Sequence, residues 1–494
     1  MIAQAPGLVT RHPVLFDPDP RRVITKLFVP GEEIPETRSR TSAVLQRTLA
    51  LPESSVDALL DGVLADFAVR HRDFTAILER NAAIMSNRIA DPDGLSRNRR
   101  LLIGAVFTHE YAVEAAALCN PSLVPHPSQD VLAAGEVRVV LSLRGIGEGH
   151  LSSIGFATGV LGPGPSARWE PRIGPLVTAE RQPDSWDGSW FRAALAHDGC
   201  DEITFTVLSS LPESFDQADL DHALASLHPR LLQRPRAPGT VRRIRELAAA
   251  SYTVRFPDGT DLPQRILWPT SAAESHGMED ARFVQVVDPD GTASYRATYT
   301  ACDGTGIAPH VLESSDLTSF RALPLTGPAA RNKGMALFPR LVGGRHLALC
   351  RGDGETTSLS ISPDGRNWAE GVTLHGPTAP WELLQVGNCG SPLETSQGWL
   401  VLTHGVGPMR TYAIGAVLLD LTDPTRILAA LPEPLLVPEA SERDGYVPNV
   451  VYSCGGMLHD GTLWLPYGSS DTRVAMATVQ LDALLARMGS SHPG

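Results

Sequence analysis

The sequence predicts a mainly β protein, a five-bladed β-propeller with α-helical insertions in the N-terminal half, on three observations. From about residue 251 onward, short strand-like stretches alternate with turn signals, among them Pro289-Asp290-Gly291, Gly343-Gly344, Pro363-Asp364-Gly365 and Asp460-Gly461. A loop–strand–turn–strand pattern recurs at 136–165, 280–320, 335–370, 390–430 and 447–484, and such spacing suits radial repetition, though a large β-sandwich also gives short regular strands. Helical spacing is confined to two patches before residue 251 and a short one at the C-terminus.

In chain order, residues 1–40 form an N-terminal segment leading into the propeller, and 41–130 a helical insertion. Val56, Leu59, Leu60, Val63, Leu64 and Phe67 recur at helical spacing behind Pro52-Glu53-Ser54-Ser55. Phe74, Ile77, Leu78, Ile84 and Met85 continue the pattern, and a third helix is expected over about 95–119, stopped by Asn120-Pro121. The first blade is expected at 131–185, where Val137–Leu143 and Leu151–Val160 read as neighbouring strands. A second, partly helical insertion takes 186–250, with its helical spacing over about 213–250. The remaining four blades occupy 251–494, with Leu481–Met488 helical.

Composition excludes several classes. The 494 residues are 43% hydrophobic and 20% charged, as in ordinary globular chains rather than disordered ones. The net charge of −13 argues against a nucleic-acid partner. No apolar run is long enough to span a bilayer, and Met1–Pro13 lacks a charged stretch followed by an apolar one, so a cytoplasmic protein without membrane association is expected. Cys119, Cys200, Cys302, Cys350, Cys389 and Cys454 are scattered, which favours buried reduced thiols over a disulfide framework or a metal site.

Most short motifs dissolve on inspection. Gly145-Ile146-Gly147-Glu148-Gly149-His150 lacks the third glycine of a dinucleotide loop and lies between strands. His109-Glu110 has no second histidine at helical spacing and reads as a structural pair on a helix. The strongest local signal is Gly277-Met278-Glu279-Asp280-Ala281-Arg282-Phe283, two carboxylates and an arginine entering a strand. Strand alternation places Asp280 and Arg282 on one face with Glu279 pointing away; a catalytic pair and an ion pair tying a blade together fit this equally well. Leu347 and Leu349 share a face with Arg351, Leu400 and Leu402 share one with His404, and Lys333 precedes another strand. Apolar stripes ending in basic residues suit a propeller mouth that takes an anion, or salt bridges at strand ends. Trp381, Trp399 and Tyr446 suit either sugar stacking or the core.

Several segments in sequence resemble glycoside hydrolase family 130, the mannoside phosphorylases and related β-mannosidases. They are 277–283, 297–304 (ATYTACDG), 332–351, 387–406, 412–424 and 442–455, with 21–31, 137–145 and 157–160 fitting as well. The resemblance implies a five-bladed propeller and inverting phosphorolysis of β-mannosides, releasing α-mannose 1-phosphate from a manno-oligosaccharide. The alternatives are a β-mannosidase or mannosyltransferase on the same scaffold and a non-catalytic glycan-binding propeller. It implies Asp280 as the catalytic acid, acting through the 3-hydroxyl of the sugar, and Lys333, Arg351 and His404 as phosphate ligands. Arg144, Glu279, Arg282, Asp303, Glu394 and Asp444 become sugar-binding positions, with Glu394 or Asp444 as the base if the enzyme is a hydrolase. Inorganic phosphate is the co-substrate, with no metal or organic cofactor. Ala281 replaces a proline of the family pattern, and the stretch 303–310 lacks an arginine that the phosphorylases carry there. Arg410 or His310 is the expected substitute. The helical segments suit either a cover over the mouth or a homo-oligomer interface.

Overall fold

The computed structural model describes residues 4–31, 39–196 and 199–489. Residues 1–3 and 32–38 of the expected N-terminal segment, and the chain end past 489, lie outside the described residues. Among those described, the chain is mainly β, and no helix is long and apolar enough to cross a membrane.

Five groups of four antiparallel strands carry the β part among the described residues. Unit 1 is Ala117–Pro125, Val137–Ile146, Ser152–Leu161 and Ala167–Trp169. Unit 2 is Gly277–Val287, Ala293–Cys302, Ile307–Ser314 and Ser319–Pro324, extended by Tyr252–Arg255. Unit 3 is Ala336–Leu337, His346–Cys350, Thr357–Ser362 and Val372–His375. Unit 4 is Gln385–Asn388, Gly398–Val406, Tyr412–Leu419 and Ile427–Ala430. Unit 5 takes Val451–Tyr452, Thr462–Ser469 and Arg473–Gln480, and its fourth strand is the N-terminal Val9–Phe16. First and last strands of the chain therefore share one sheet, which ties the two ends of the chain together by ladder hydrogen bonds.

Each unit packs its apolar face on the next. Phe156 of unit 1 meets Phe283 of unit 2 edge-on, and Val284 joins Ala348 of unit 3 in one cluster. Phe338 and Leu347 pack with Trp399 and Val401 of unit 4. Leu400 and Leu402 pack with Leu463 and Leu465 of unit 5, and Trp464 and Met476 return to Leu141 and Leu143 of unit 1. Inner strands such as Gly398–Val406 are buried along their whole length, so they read as apolar runs rather than as alternation. The turns between third and fourth strands are closed by aspartates. Asp316 accepts from the Thr318 and Ser319 amides, Asp364 from those of Arg366 and Asn367, and Asp420 from those of Thr422 and Asp423.

Helices α1 (Arg40–Leu49), α2 (Glu53–Phe67), α3 (Phe74–Met85) and α4 (Arg97–Val106) precede unit 1. The expected third helix over 95–119 ends at Val106, which corrects that reading. Thr108–Ala112 and Ala117–Pro125 are strands, and Thr108–Ala112 pairs with Val23–Leu27. Asn120-Pro121 does not stop a helix; it sits in a bulge where Asn120 takes φ 49° and the register shifts between Cys119 and Ser122. His109-Glu110 therefore stands on a strand, where Glu110 pairs with Arg70 and His71.

The second helical patch starts earlier than its periodicity indicates. It comprises α5 (Gly188–Ala196), α6 (Glu202–Ser210), α7 (Gln217–Ala225), α8 (Pro229–Leu232) and α9 (Ala237–Ala250). Asp201 and Asp216 cap α6 and α7 through the Thr204 and Asp219 amides. Trp190, Phe191, Val207, Leu220 and Ile244 share a core with Val311 and Leu323 of unit 2 and Trp368 of unit 3. Helix α10 (Leu481–Gly489) buries Leu484, Leu485 and Met488 beside units 4 and 5.

Candidate active site

The polar residues that meet at one end of the units come from the ends of inner strands and from the turns after second strands. Asp280 is the centre of the group. A bulge between Glu279 and Arg282 and a φ of 55° at Asp280 break the alternation of Gly277–Val287. The expectation that Glu279 points away from Asp280 is thereby corrected: both carboxylates reach the same guanidinium. Arg144 donates from Nη1 to Asp280 Oδ1 at 2.9 Å and from Nη2 to Glu279 Oε1 at 2.7 Å, while its Nε is held by Ser152 Oγ at 2.9 Å. Lys333 Nζ lies 2.5 Å from Glu279 Oε2, and the Asn120 side-chain amide donates to Asp280 Oδ1.

Arg282 does not pair with the Asp280 carboxylate. It is 2% exposed and donates to the backbone carbonyls of Asp280 and Cys389 and to the Tyr452 hydroxyl, each at 2.8 Å. Its place is under the floor of the site, where it fixes the bulge. On the far side, Arg351 Nη1 donates to His404 Nε2 at 2.9 Å. An arginine only donates, so His404 Nε2 accepts and the ring is neutral. Burial, with Arg351 and Arg282 nearby, pushes the His404 pKa well below its ordinary value. His404 thus positions Arg351 and adds no charge of its own, which corrects its reading as one of three cations. Asn388 Nδ2 donates to the Gly334 carbonyl at 2.8 Å, steadying the loop that carries Lys333. Arg351 Nε, Asn388 Oδ1 and Ser391 Oγ are buried with no hydrogen-bond partner among the described residues.

Burial opposes ionisation of Asp280, but Arg144, Lys333 and Arg282, with the Asn120 amide, outweigh it and hold its carboxyl well below the usual range. Asp471, in the turn after the second strand of unit 5, behaves oppositely. Burial and the nearby Asp280 push it up to about 6, against Arg144 and Arg410, and its Oδ1 makes no hydrogen bond among the described residues.

The other expected positions divide. Asp303 lies in the turn 303–306, at the same end as Glu279, but its carboxylate closes that turn by accepting from the Thr305 and Gly306 amides. Glu394 is not brought to the group. It pairs with Arg340 at 2.5 Å on a solvent-facing strand end opposite Trp399, the far end of the strand from His404. Asp444 is exposed in the loop before unit 5. His310 is buried against Tyr299, so it does not replace the missing arginine. Arg410 lies by Asp471 and over the Tyr412 ring. Trp381 and Trp399 are core residues, whereas Tyr446 is 39% exposed and its hydroxyl bonds His150 across the rim. Sequence reasoning missed Asn120, Tyr452 and Asp471; only the Asn-Pro break at 120–121 could have flagged one of them.

The glycoside hydrolase family 130 profile, described as β-1,4-mannooligosaccharide phosphorylase, matches residues 252–489. A 1,2-β-oligomannan phosphorylase of a Thermoanaerobacter species is 37% identical over 152 residues, 30% of this chain and 51% of that protein. A β-1,2-mannobiose phosphorylase of the same organism is 30% identical over 213 residues, 42% of this chain and 68% of that protein. The chain thus spans about half of the first relative and about two thirds of the second. The solved β-1,2-mannobiose phosphorylase of Listeria innocua in complex with β-1,2-mannobiose superposes with a TM-score of 0.46 at 22% identity, covering 77% of this chain and 94% of that one.

Proposed function

This chain belongs to glycoside hydrolase family 130, and on that premise we propose that it cleaves β-mannosides with inorganic phosphate, releasing α-mannose 1-phosphate from a manno-oligosaccharide. The observation that carries this reading is an ionised Asp280 bonded by Arg144 and held in the field of Lys333, with Arg351 beside the loop that carries Lys333. Charge-assisted donors of this kind bind phosphate best, Arg through two N–H groups and Lys as a point charge. The unpartnered Arg351 Nε and Asn388 Oδ1 are further groups that an incoming ligand satisfies.

Phosphate is already an anion and needs no base other than Asp280, which takes up the acidic proton of its monoanion. One of its oxygens bonds to the anomeric carbon as the bond to the leaving sugar breaks, with inversion. The leaving oxygen takes the proton of the mannosyl 3-hydroxyl, and Asp280 supplies the proton that replaces it. Asp280 must first gain that proton. Phosphate bound to Lys333 and Arg351 offsets their charge, weakens the field that keeps Asp280 ionised, and brings the acidic proton of its monoanion. His404 acts by holding Arg351; Arg144, Glu279 and Asn120 orient Asp280 and the sugar. No metal or organic cofactor enters this reading.

The five units and their ring of contacts support a five-bladed propeller with two helical insertions; against the expected bounds of 41–130, 131–185 and 251–494, the first blade takes Ala117–Pro125 from the expected insertion and the last blade takes Val9–Phe16 from the N-terminal segment. A second reading, hydrolysis, is favoured by one observation: the turn 303–306 supplies no cation, and His310 is turned into the core. A sugar-release assay on β-mannobioses and β-mannosyl-glucose, with and without phosphate, separates the two. Mannose 1-phosphate formed only with phosphate supports phosphorolysis. Free mannose regardless of phosphate moves the reading to a β-mannosidase, and silence on every substrate favours a glycan-binding propeller.

A further inference from the structure

A groove of about 740 Å³ runs between helix α9 and the segment that leads into Asp280, lined by Val241, Arg242, Arg245, Ala249, Ala272 and Asp303 among others. Its volume is that of a ligand pocket, roughly 300–1,000 Å³. Its inner edge reaches Asp303, in the turn at the same end of unit 2 as Glu279. Ala272 lies only a few residues before Glu279 on the same segment, and Asp303 follows the strand whose Thr300 pairs with Glu279. Asp303 lies three residue steps beyond Thr300, about 10 Å in extended chain.

The wall of the groove is preformed. Ile244 and Ala248 of α9 are buried in the core shared with units 2 and 3, so the opposite face of the helix is held toward the groove. Its floor is aliphatic (Val241, Ala249, Ala272), and Arg242 is engaged by Glu246 at 3.6 Å. Arg245 is exposed and has no hydrogen bond or ion pair among the described residues. Aliphatic carbon beside guanidinium and carboxylate groups matches a pyranose chain, which offers C–H faces and a dense row of hydroxyls. The charges of Arg242, Arg245, Glu246 and Asp303 balance, which suits a neutral ligand.

We propose that this groove is a distal acceptor subsite, holding the leaving-group arm of an oligosaccharide beyond the two sugars that flank the broken bond. The proposal rests on the mannoside reading above and deepens it: the substrate is a chain of several sugars rather than a disaccharide. Helix α9 then lengthens the acceptor site, where a cover would shorten it.

The test is calorimetric titration of the full chain, without phosphate, with β-1,2- and β-1,4-linked manno-oligosaccharides of two to six units. The wild type gains about tenfold in affinity between the disaccharide and the longer chains. Ala249→Trp, which fills the groove from an exposed helix position, and Arg245→Ala each abolish most of that gain and leave disaccharide binding and cleavage unchanged. No gain with length, or a gain that persists in both variants, overturns the proposal while disaccharide turnover keeps the parent reading. Failure to bind or cleave a mannoside of any length overturns both.

Discussion

Asp280, which is buried, and Asp471, which is half-buried with its Oδ1 shielded, are two carboxylates that feel the same guanidinium, that of Arg144, from different units, and desolvation leaves them in opposite states. Both sit in left-handed backbone, at φ 55° and 46°, a conformation that aspartate tolerates better than most residues. Asp280 is held by Arg144, the Asn120 amide and the field of Lys333 and Arg282, and stays ionised. Asp471 has charges nearby but no hydrogen bond on Oδ1 among the described residues, and it titrates near 6. Desolvation alone does not decide the state of a buried acid; the balance of the charges around it and the hydrogen bonds it accepts does. Without ligand Asp280 is thereby an anion that takes up its catalytic proton only once phosphate offsets the surrounding charge, and Asp471 is an acid that can exist in either form near neutral pH.

The largest effect expected from this contrast follows removal of the Asp280 carboxylate. Asp280→Asn keeps the shape of the side chain, so near-ultraviolet circular dichroism stays native. Turnover of the best β-mannoside falls by about 10³-fold or more, within the range of a lost general acid. Activity within a few-fold of wild type would break the comparison at its first member. Next in size is Arg351→Ala, which is expected to raise the KM for phosphate by about 100-fold, the worth of a charge-assisted contact, with a much smaller change in the KM for the mannoside. Equal losses for both substrates would place Arg351 with the sugar.

The residues that make this contrast differ in how well the sequence shows them. The β half is legible because its strands are short, repeat at even intervals, and end in Asp and Gly turns such as Ser362–Gly365, where Gly365 takes φ 74°. The basic positions at strand ends were legible for the same reason: a period of two projects Arg351 and His404 from the strands that carry them. Backbone irregularity defeated the same rule. A period of two cannot foresee the bulge that turns Glu279 and Asp280 onto one arginine, nor the left-handed Asn120 that hides a strand behind what reads as a helix end. Asp471 was invisible because its importance comes from Arg144 and Asp280, more than a hundred residues away in sequence. The charge of His404 was misjudged because only the fold reveals its burial beside Arg351 and Arg282.

Asp471→Asn sharpens the comparison by a stability measurement in which the sign is fixed in advance. The folded state raises the pKa of Asp471 from 3.8 to about 6, so the fold prefers the protonated form. That preference contributes fully below about pH 4 and is lost as pH rises through about 6. Above pH 6 the ionised carboxylate costs about 2 kcal/mol relative to a neutral side chain of the same shape, at about 1.4 kcal/mol per pKa unit with allowance for its partial exposure. Asparagine mimics the protonated acid at every pH. The variant is therefore expected to melt higher than wild type at pH 8 and to converge with it between pH 6 and pH 4. Asp280, whose pKa is lowered, has the opposite linkage: the stability it contributes is present above about pH 4 and fades only as acid reaches its depressed folded value. An Asp471→Asn variant that melts lower than wild type at pH 8, or by the same margin at pH 8 and pH 4, would show that Asp471 is as well partnered as Asp280 and would remove the distinction between them.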